Sequence, residues 1–296
     1  MKENVLITIL TPTYNRLKYL PRVFESLCKQ TNTDFEWLII DDGSTDDTEE
    51  YIKTLQHKFF RIIYKKKENS GKHTALNYAH PYINGKLVLI LDSDDWLTED
   101  AVEVIKNDWE KYQDNNTICG FSYKKEDVSG KVLTKKAIND YFLSTHFEWR
   151  INAEIKGDCC EVLKKEILLA YPFPEFEGER FMSEGWLWNH VALNYKTVYR
   201  NKTIYICEYL EEGLSKTGRK LRMQCPLGMM ENCKSFFVKQ VRWKIQIKEM
   251  LLFWVYGLCA KMRFREIVRA SGKGLNMILV APFGMVLCAV WKRKYG

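Results

Sequence analysis

The sequence predicts an α/β protein: a mostly parallel sheet flanked by helices, followed by a basic, mostly helical C-terminal extension that associates with membranes. Three observations predict this. Short apolar runs alternate with helically spaced segments through the first 110 residues, the pattern of right-handed βαβ units. Residues 87–95, LVLILDSDD, carry five apolar positions straight into Asp92, Ser93, Asp94 and Asp95. Such a run reads as a strand buried on both faces, with its carboxylates emerging at the C-terminal sheet edge, where open α/β sheets bind ligands. The third observation is charge. Residues 216–296 hold 17 Lys and Arg against 3 Glu, a balance of +14, whereas 1–215 hold 28 basic and 35 acidic residues, a balance of −7.

In order along the chain, residues 5–10 read as the first strand, broken by Thr11-Pro12, with a loop over 11–16. Residues 20–29 repeat apolar positions at helical spacing, and Pro21 is tolerated in a first turn. Residues 35–40 form the second strand and end in DDGSTDD, a turn rich in capping residues. A helix over 49–55, a strand over 61–64 and a helix over 74–83, stopped or kinked by Pro81, precede the 87–91 strand. The next helix spans 98–112, with Thr98 or Asp95 as N-cap. Beyond 117 the alternation weakens. Residues 118–123 and 131–133 read as strands, 142–155 are ambiguous, 159–169 look helical, 182–195 form an aromatic-rich helix and 197–208 a strand pair. Residues 234–260 and 261–270 read as amphipathic helices. The apolar run 277–291 would span about 22 Å as a helix, short of the roughly 30 Å hydrocarbon core, so it suits the membrane interface better than a crossing.

Composition narrows the function classes. With 296 residues and 46% hydrophobic content, the chain can bury a large core. Its nine cysteines show neither CxxC spacing nor a pairing framework, which points to reduced thiols and a cytoplasmic setting. The N-terminus lacks a signal-peptide layout. No GxGxxG follows the first strand and no GxxxxGK[ST] occurs, which argues against dinucleotide oxidoreductases and P-loop NTPases. A nucleotidyltransferase would carry a Gly- and Arg-rich loop after that strand, and the loop here is TPTYNR.

Four loops gather at the predicted C-terminal edge: 11–16, 41–47, 69–72 and 92–95. Tyr14 offers a ring, Asp42 a carboxylate acceptor, Lys72 a cation after Gly71, and Asp92, Asp94 and Asp95 a seat for a hard divalent ion, Mn²⁺ or Mg²⁺. A nucleoside diphosphate needs each of these. The competing reading of 92–95 is a solvated acidic turn ahead of a helix. Asp41, Asp46 and Asp47 read as turn formers, and Lys65-Lys66-Lys67 as a solvated face.

The motifs TPTYNR, WLIIDDGSTDDT, NSGKHTALN and LILDSDDW, in this order, resemble the nucleotide-sugar half of a family 2 glycosyltransferase with the Rossmann-like GT-A fold. The resemblance is specific over 4–105 and looser to about 215. It implies a nucleotide-sugar half at 1–110, an acceptor half at 111–215 and an extension at 216–296. It further implies that Asp94 and Asp95 touch metal, with Asp92 and Ser93 beside them at the nucleotide. Asp42 would accept from a uracil N3–H, Pro12 and Tyr14 frame the base, and Lys72 meet base or phosphate. The family's late E-D-x-x-L-W pattern falls on Ser183-Glu184-Gly185-Trp186-Leu187-Trp188, which makes Glu184 the implied base, with Glu177, Glu179 and Asp158 as fallbacks. The implied reaction is metal-dependent, inverting transfer from a nucleotide sugar, UDP favoured, to a glycan or lipid-linked acceptor in surface polysaccharide synthesis. The basic residues 216–296 would dock on an anionic membrane on its cytoplasmic face, with no nucleic acid involved. The alternative is a non-catalytic nucleotide-binding protein, or one that binds nucleic acid through the basic tail.

Overall fold

The computed structural model describes residues 5–55, 58–134, 139–208 and 214–295. The chain forms two compact units: Met1–Thr145, Ile155–Pro172 and Val191–Tyr209 make one, and His146–Glu154, Phe173–His190 and Leu210–Gly296 the other. Sequence suggested one cut after residue 215; the units instead interleave, and residue 215 falls inside a helix, Leu214–Gln224.

The first unit is built on one sheet. Strands β1 (Ile7–Thr13), β2 (Phe35–Asp41), β3 (Arg61–Lys66) and β4 (Leu87–Ile90) run parallel in the order β3-β2-β1-β4. Helices α1 (Leu20–Cys28), α2 (Thr48–Thr54) and α3 (Lys72–Tyr78) alternate with them in sequence. Every residue of β1 and β2 is buried, which is why these strands read as apolar runs rather than alternations. β1 continues through Pro12, beyond the expected break. Leu10 still accepts from Leu91 N–H, on the side of β4. Pro12 points its nitrogen to that same side two residues later, where β4 has ended, so its missing donor costs no ladder bond.

Past β4 the sheet turns mixed. The two-residue β5 (Trp96–Leu97) pairs with β9 (Lys196–Cys207), so α4 begins only at Ala101 and runs to Tyr112. Thr98 N–H donates to the Ile204 carbonyl, which extends that pairing and removes Thr98 as the helix cap. β6 (Ile118–Asp127), β7 (Phe142–Ser144) and β8 (Cys159–Lys164) complete the sheet, with β8 inserted antiparallel between β4 and β6. The expected helix over 159–169 is thus a central strand followed by a short helix, α5 (Lys165–Ala170). A strand covered on both faces shows no alternation, and its apolar run mimics a helix segment. The expected strand pair at 197–208 is one long strand, β9, and the expected strand at 131–133 is a single bridge between Glu126 and Val132.

The second unit is helical: α6 (Gly185–Val191, whose last residue belongs to the first unit), α7 (Leu214–Gln224), α8 (Pro226–Lys234), α9 (Trp243–Cys259), α10 (Phe264–Ser271) and α11 (Leu275–Tyr295). The expected helix over 234–260 is α9 alone, after a turn in which Gln246 Nε2 donates to the carbonyls of Val238 and Val241. Phe253, Trp254, Val255, Tyr256 and Gly257 of α9 are all buried, so its C-terminal half is a core helix with no polar stripe. α11 has 21 residues, about 31 Å, longer than the 22 Å read from its apolar run. By length and composition it is the one helix among the described residues that could cross a membrane.

Candidate active site

The 92–95 turn sits where β4 ends, and three neighbours hold it. Tyr205, on β9, donates its hydroxyl to Asp95 Oδ2 at 2.8 Å and accepts from Asp92 N–H at 3.0 Å. Glu208 N–H donates to Asp95 Oδ1 at 3.1 Å. Arg22, on α1, stacks its guanidinium 3.9 Å from the Trp96 ring centre, donates to the Asp94 carbonyl at 2.6 Å and pairs with Glu208 at 2.6 Å. Ser93 is buried within the turn.

The three carboxylates therefore have different tasks. Asp95 is buried, and both of its oxygens already accept hydrogen bonds. Burial, then the charge of Asp92, pushes its pKa up to about 7. Asp92 pairs with Lys72 Nζ at 2.5 Å. Burial works against its charge, but Lys72 and Lys125 outweigh that and hold its pKa below the usual value. Asp94 has its pKa raised by burial and by Asp92, and no described residue other than itself donates to its carboxylate. No three His, Cys, Asp or Glu side chains converge as a metal cage among the described residues. The donor set instead suits an ion bound by one carboxylate, Asp94, with its remaining ligands from substrate phosphates and water, as is usual for Mg²⁺. Asp95, expected as a second ligand, accepts from Tyr205 and Glu208 and so also braces the turn.

Asp42 stands in the loop after β2. Its carboxylate accepts from Lys67 Nζ at 2.8 Å, Ser70 N–H at 3.0 Å and Gly71 N–H at 2.7 Å, which folds the 67–71 segment over it. Gly43 allows that turn: its φ is +84°, and a Cβ there would lie 2.8 Å from Asn69 N. Lys67, read from sequence as part of a solvated face, is instead enclosed by Asp42, Ser70, Thr74 and the Glu68 carbonyl. Asp41 accepts from Ser44 N–H and the Tyr64 hydroxyl, and Asp46 from Leu17 N–H and Thr48, so both form turns as expected. Asn15, with φ of 51°, ties the first loop to the second through Ser44 and Thr45, leaving the Tyr14 ring exposed beside buried Pro12.

Sequence reasoning missed Arg22, Tyr205 and Lys125. Lys125, on β6, lies 3.8 Å over the Tyr205 ring. Burial opposes its charge, but the carboxylate of Asp92 more than offsets this and raises its pKa. Arg22 and Tyr205 show in sequence only as a charged and a phenolic group within otherwise apolar stretches, and Lys125, in the charged run 124–127, gives no signal there.

In the second unit, the Glu184 carbonyl accepts from Leu187 N–H at 3.0 Å and opens α6, which is shorter than the expected 182–195 helix. The Trp186 and His190 rings lie 4.0 Å apart, tilted by 34°. Of the fallback bases, Glu179 accepts from the N–H groups of Leu227 and Gly228 and caps α8, while Glu177 and Asp158 are exposed.

The family model for glycosyl transferase family 2 matches residues 8–171, and the chain belongs to that family. It is 27% identical over 219 residues to glycosyltransferase GlyA of Streptococcus pneumoniae serotype 4, covering 71% of this chain but only 31% of that relative. Its fold is similar to S. aureus TarS 1–349 in complex with UDP-GlcNAc, with a TM-score of 0.62 at 18% identity over 92% of this chain and 81% of that one. It is also similar to the mannosyltransferase PcManGT of Pyrobaculum calidifontis in complex with GDP-Man and Mn²⁺, with a TM-score of 0.56 at 16% identity over 97% and 81%. The mixed, mostly parallel sheet with flanking helices is thus the GT-A arrangement.

Proposed function

We propose that this chain transfers a sugar from a nucleotide diphosphate sugar, UDP favoured, to an acceptor hydroxyl with inversion at the anomeric carbon. The acceptor is a lipid-linked glycan of surface polysaccharide assembly, and the basic residues 216–296 bring the enzyme to the anionic leaflet that holds it. The observation that carries this reading is the division of labour at 92–95: Asp92 and Asp95 are committed to protein partners, and Asp94 is left open. Nucleotide sugars bound to TarS and PcManGT, and Mn²⁺ in the latter, support the ligand class.

Asp94 would hold Mn²⁺ or Mg²⁺, which when bound offsets the charge of the departing diphosphate. Lys72 adds a positive charge at the same turn. Pro12 and Tyr14 frame the base. We assign Asp42 to shaping the 67–71 loop, because its oxygens are already engaged there, rather than to the base N–H. Ser93 and Asp95 keep the turn in shape. Glu184 takes the proton of the attacking hydroxyl, whose oxygen bonds to the anomeric carbon as the bond to the nucleoside diphosphate breaks on the opposite face, which inverts that carbon.

A thermal-shift panel of nucleotide sugars with and without Mn²⁺ tests the donor site. The expected result is stabilisation by a UDP-sugar that requires the metal, and no response to any member would overturn the reading. Glu184→Gln should lose transfer by at least a hundredfold while keeping the donor-induced shift. Full activity in that variant would remove Glu184 from the mechanism.

A further inference from the structure

α11 is apolar on both edges, and among the described residues only one edge is packed against protein. Met277, Ala281, Gly284, Cys288 and Trp291, spaced by four and three, face the core of the second unit. The contact with α9 is close: a Cβ on Gly284 would lie 2.4 Å from Trp254 Cβ, and Trp254 Nε1 donates to the Met277 carbonyl at 2.9 Å. The rotation of α11 about its axis is thereby set.

The outward edge carries Leu279, Phe283, Val286 and Val290, exposed by 64%, 70%, 65% and 54%, with Ile278 and Met285 beside them. From 278 to 290 no polar residue interrupts this edge, over about 18 Å of helix. A helix on a water-facing surface turns charged or polar residues to that side. This one is flanked by cations instead, Lys273 before it and Lys292, Arg293 and Lys294 after it.

We propose that α11 lies in the plane of an anionic phospholipid leaflet, with its outward edge sunk among the acyl chains and its terminal cations at the headgroups. This deepens the membrane partner named above and rests on that reading. Charge selects the occupant. Residues 216–296 carry 17 basic and 3 acidic groups, which attract an anionic surface and repel a second copy of the same unit. Packing selects the orientation. The inner edge of α11 holds the core shared with α8, α9 and α10, so a crossing would draw Arg265 and Arg269 of α10, Arg263 just before it, and Glu231 and Lys234 of α8 toward the bilayer. α9 offers only ten residues free of charge, 250–259, or about 15 Å, too short to cross beside it.

Flotation of the full chain with vesicles of phosphatidylcholine, alone or with one third phosphatidylglycerol, tests this. Wild type should float with the anionic vesicles. The double variant Phe283→Asp, Val286→Asp should lose at least tenfold in bound fraction with an unchanged circular dichroism spectrum. Leu279→Glu is a second variant on the same edge, in case the first pair perturbs folding. A C-terminal epitope tag should remain open to trypsin added outside sealed vesicles. Wild-type flotation by both folded variants would overturn the in-plane helix; if high salt still released them, electrostatic docking by the basic unit would stand without it. A protected tag would replace the in-plane helix with a crossing one. A dimer in sedimentation without lipid, dissolved by Phe283→Asp, would assign the edge to a second copy.

Discussion

Arg22 Nη2 donates to the main-chain carbonyl of Asp94 across 2.6 Å, while the same guanidinium stacks on Trp96 and pairs with Glu208. One side chain from the first helix thus fixes the backbone that aims the open carboxylate. Arg22→Ala should lower kcat/KM about ten- to a hundredfold, the scale of a lost charged hydrogen bond of about 1.5–3 kcal/mol. Arg22→Lys should recover only part of this, because an ammonium cannot stack and fork together. Steady-state kinetics with varied Mn²⁺ checks both; wild-type rates in Arg22→Ala would show that the turn holds its shape unaided.

Asp94 and Asp95 are neighbours with separable roles. Asp94→Asn should abolish turnover and metal-dependent nucleotide binding with little change in melting temperature. Asp95→Asn should destabilise the fold by about 1–3 kcal/mol, because one of its two donors, Tyr205 O–H or Glu208 N–H, meets an amide N–H instead of an oxygen. Melting curves beside Mn²⁺ titrations distinguish the two, and equal thermal losses would deny the division of labour.

Lys67 and Asp42 form an ion pair at 2.8 Å with side chains only 13% and 5% exposed. Removing either partner leaves the other charge enclosed, so Lys67→Met and Asp42→Asn should each cost about 3–5 kcal/mol. The double variant should cost less than their sum. Urea unfolding of the three proteins measures that coupling, and simple additivity would refute it.

Glu249 is buried in the second unit, 3.5 Å from Lys248 Nζ. Burial raises its pKa, with Lys248 and Cys233 opposing only in part. The folded state therefore keeps this proton to higher pH than the unfolded chain does. Its contribution to stability falls as pH rises from the ordinary glutamate range, about 4.3, through the raised value, and is flat above it. Glu249→Gln should remove that slope and narrow the difference in melting temperature between pH 5 and pH 8. An unchanged difference would place the proton uptake elsewhere.

Strands β1, β2 and β4 and their loops were legible because these strands are buried almost throughout and end in clusters of polar turn residues, while β3, half-exposed at the sheet edge, was betrayed only by its short β-rich run. The middle of the chain was not. Cys159–Lys164 is a strand because β4 and β6 supply ladders on both sides, and neither partner is near it in sequence. The site divides along the same line. Asp92, Asp94 and Lys72 lie in the motif loops, and sequence could name them. Tyr205 and Lys125 reach the turn by strand pairing and Arg22 by helix placement, so only tertiary structure brings them there. Lys67 shows the limit of reading charge runs: three consecutive lysines looked equally wet, and one is enclosed by four acceptors.

The interleaving of the two units bears on how the chain can be cut. Glu179 caps α8, Asn189 Nδ2 donates to Ser235, and Asn152 bonds both Gln240 and Arg242. A fragment ending near residue 215 would keep each of these donors and acceptors and discard what they hold, exposing apolar surface made for the missing helices. The catalytic half cannot be excised as a contiguous piece, so an insoluble truncation would report severed packing and say nothing about lipid affinity.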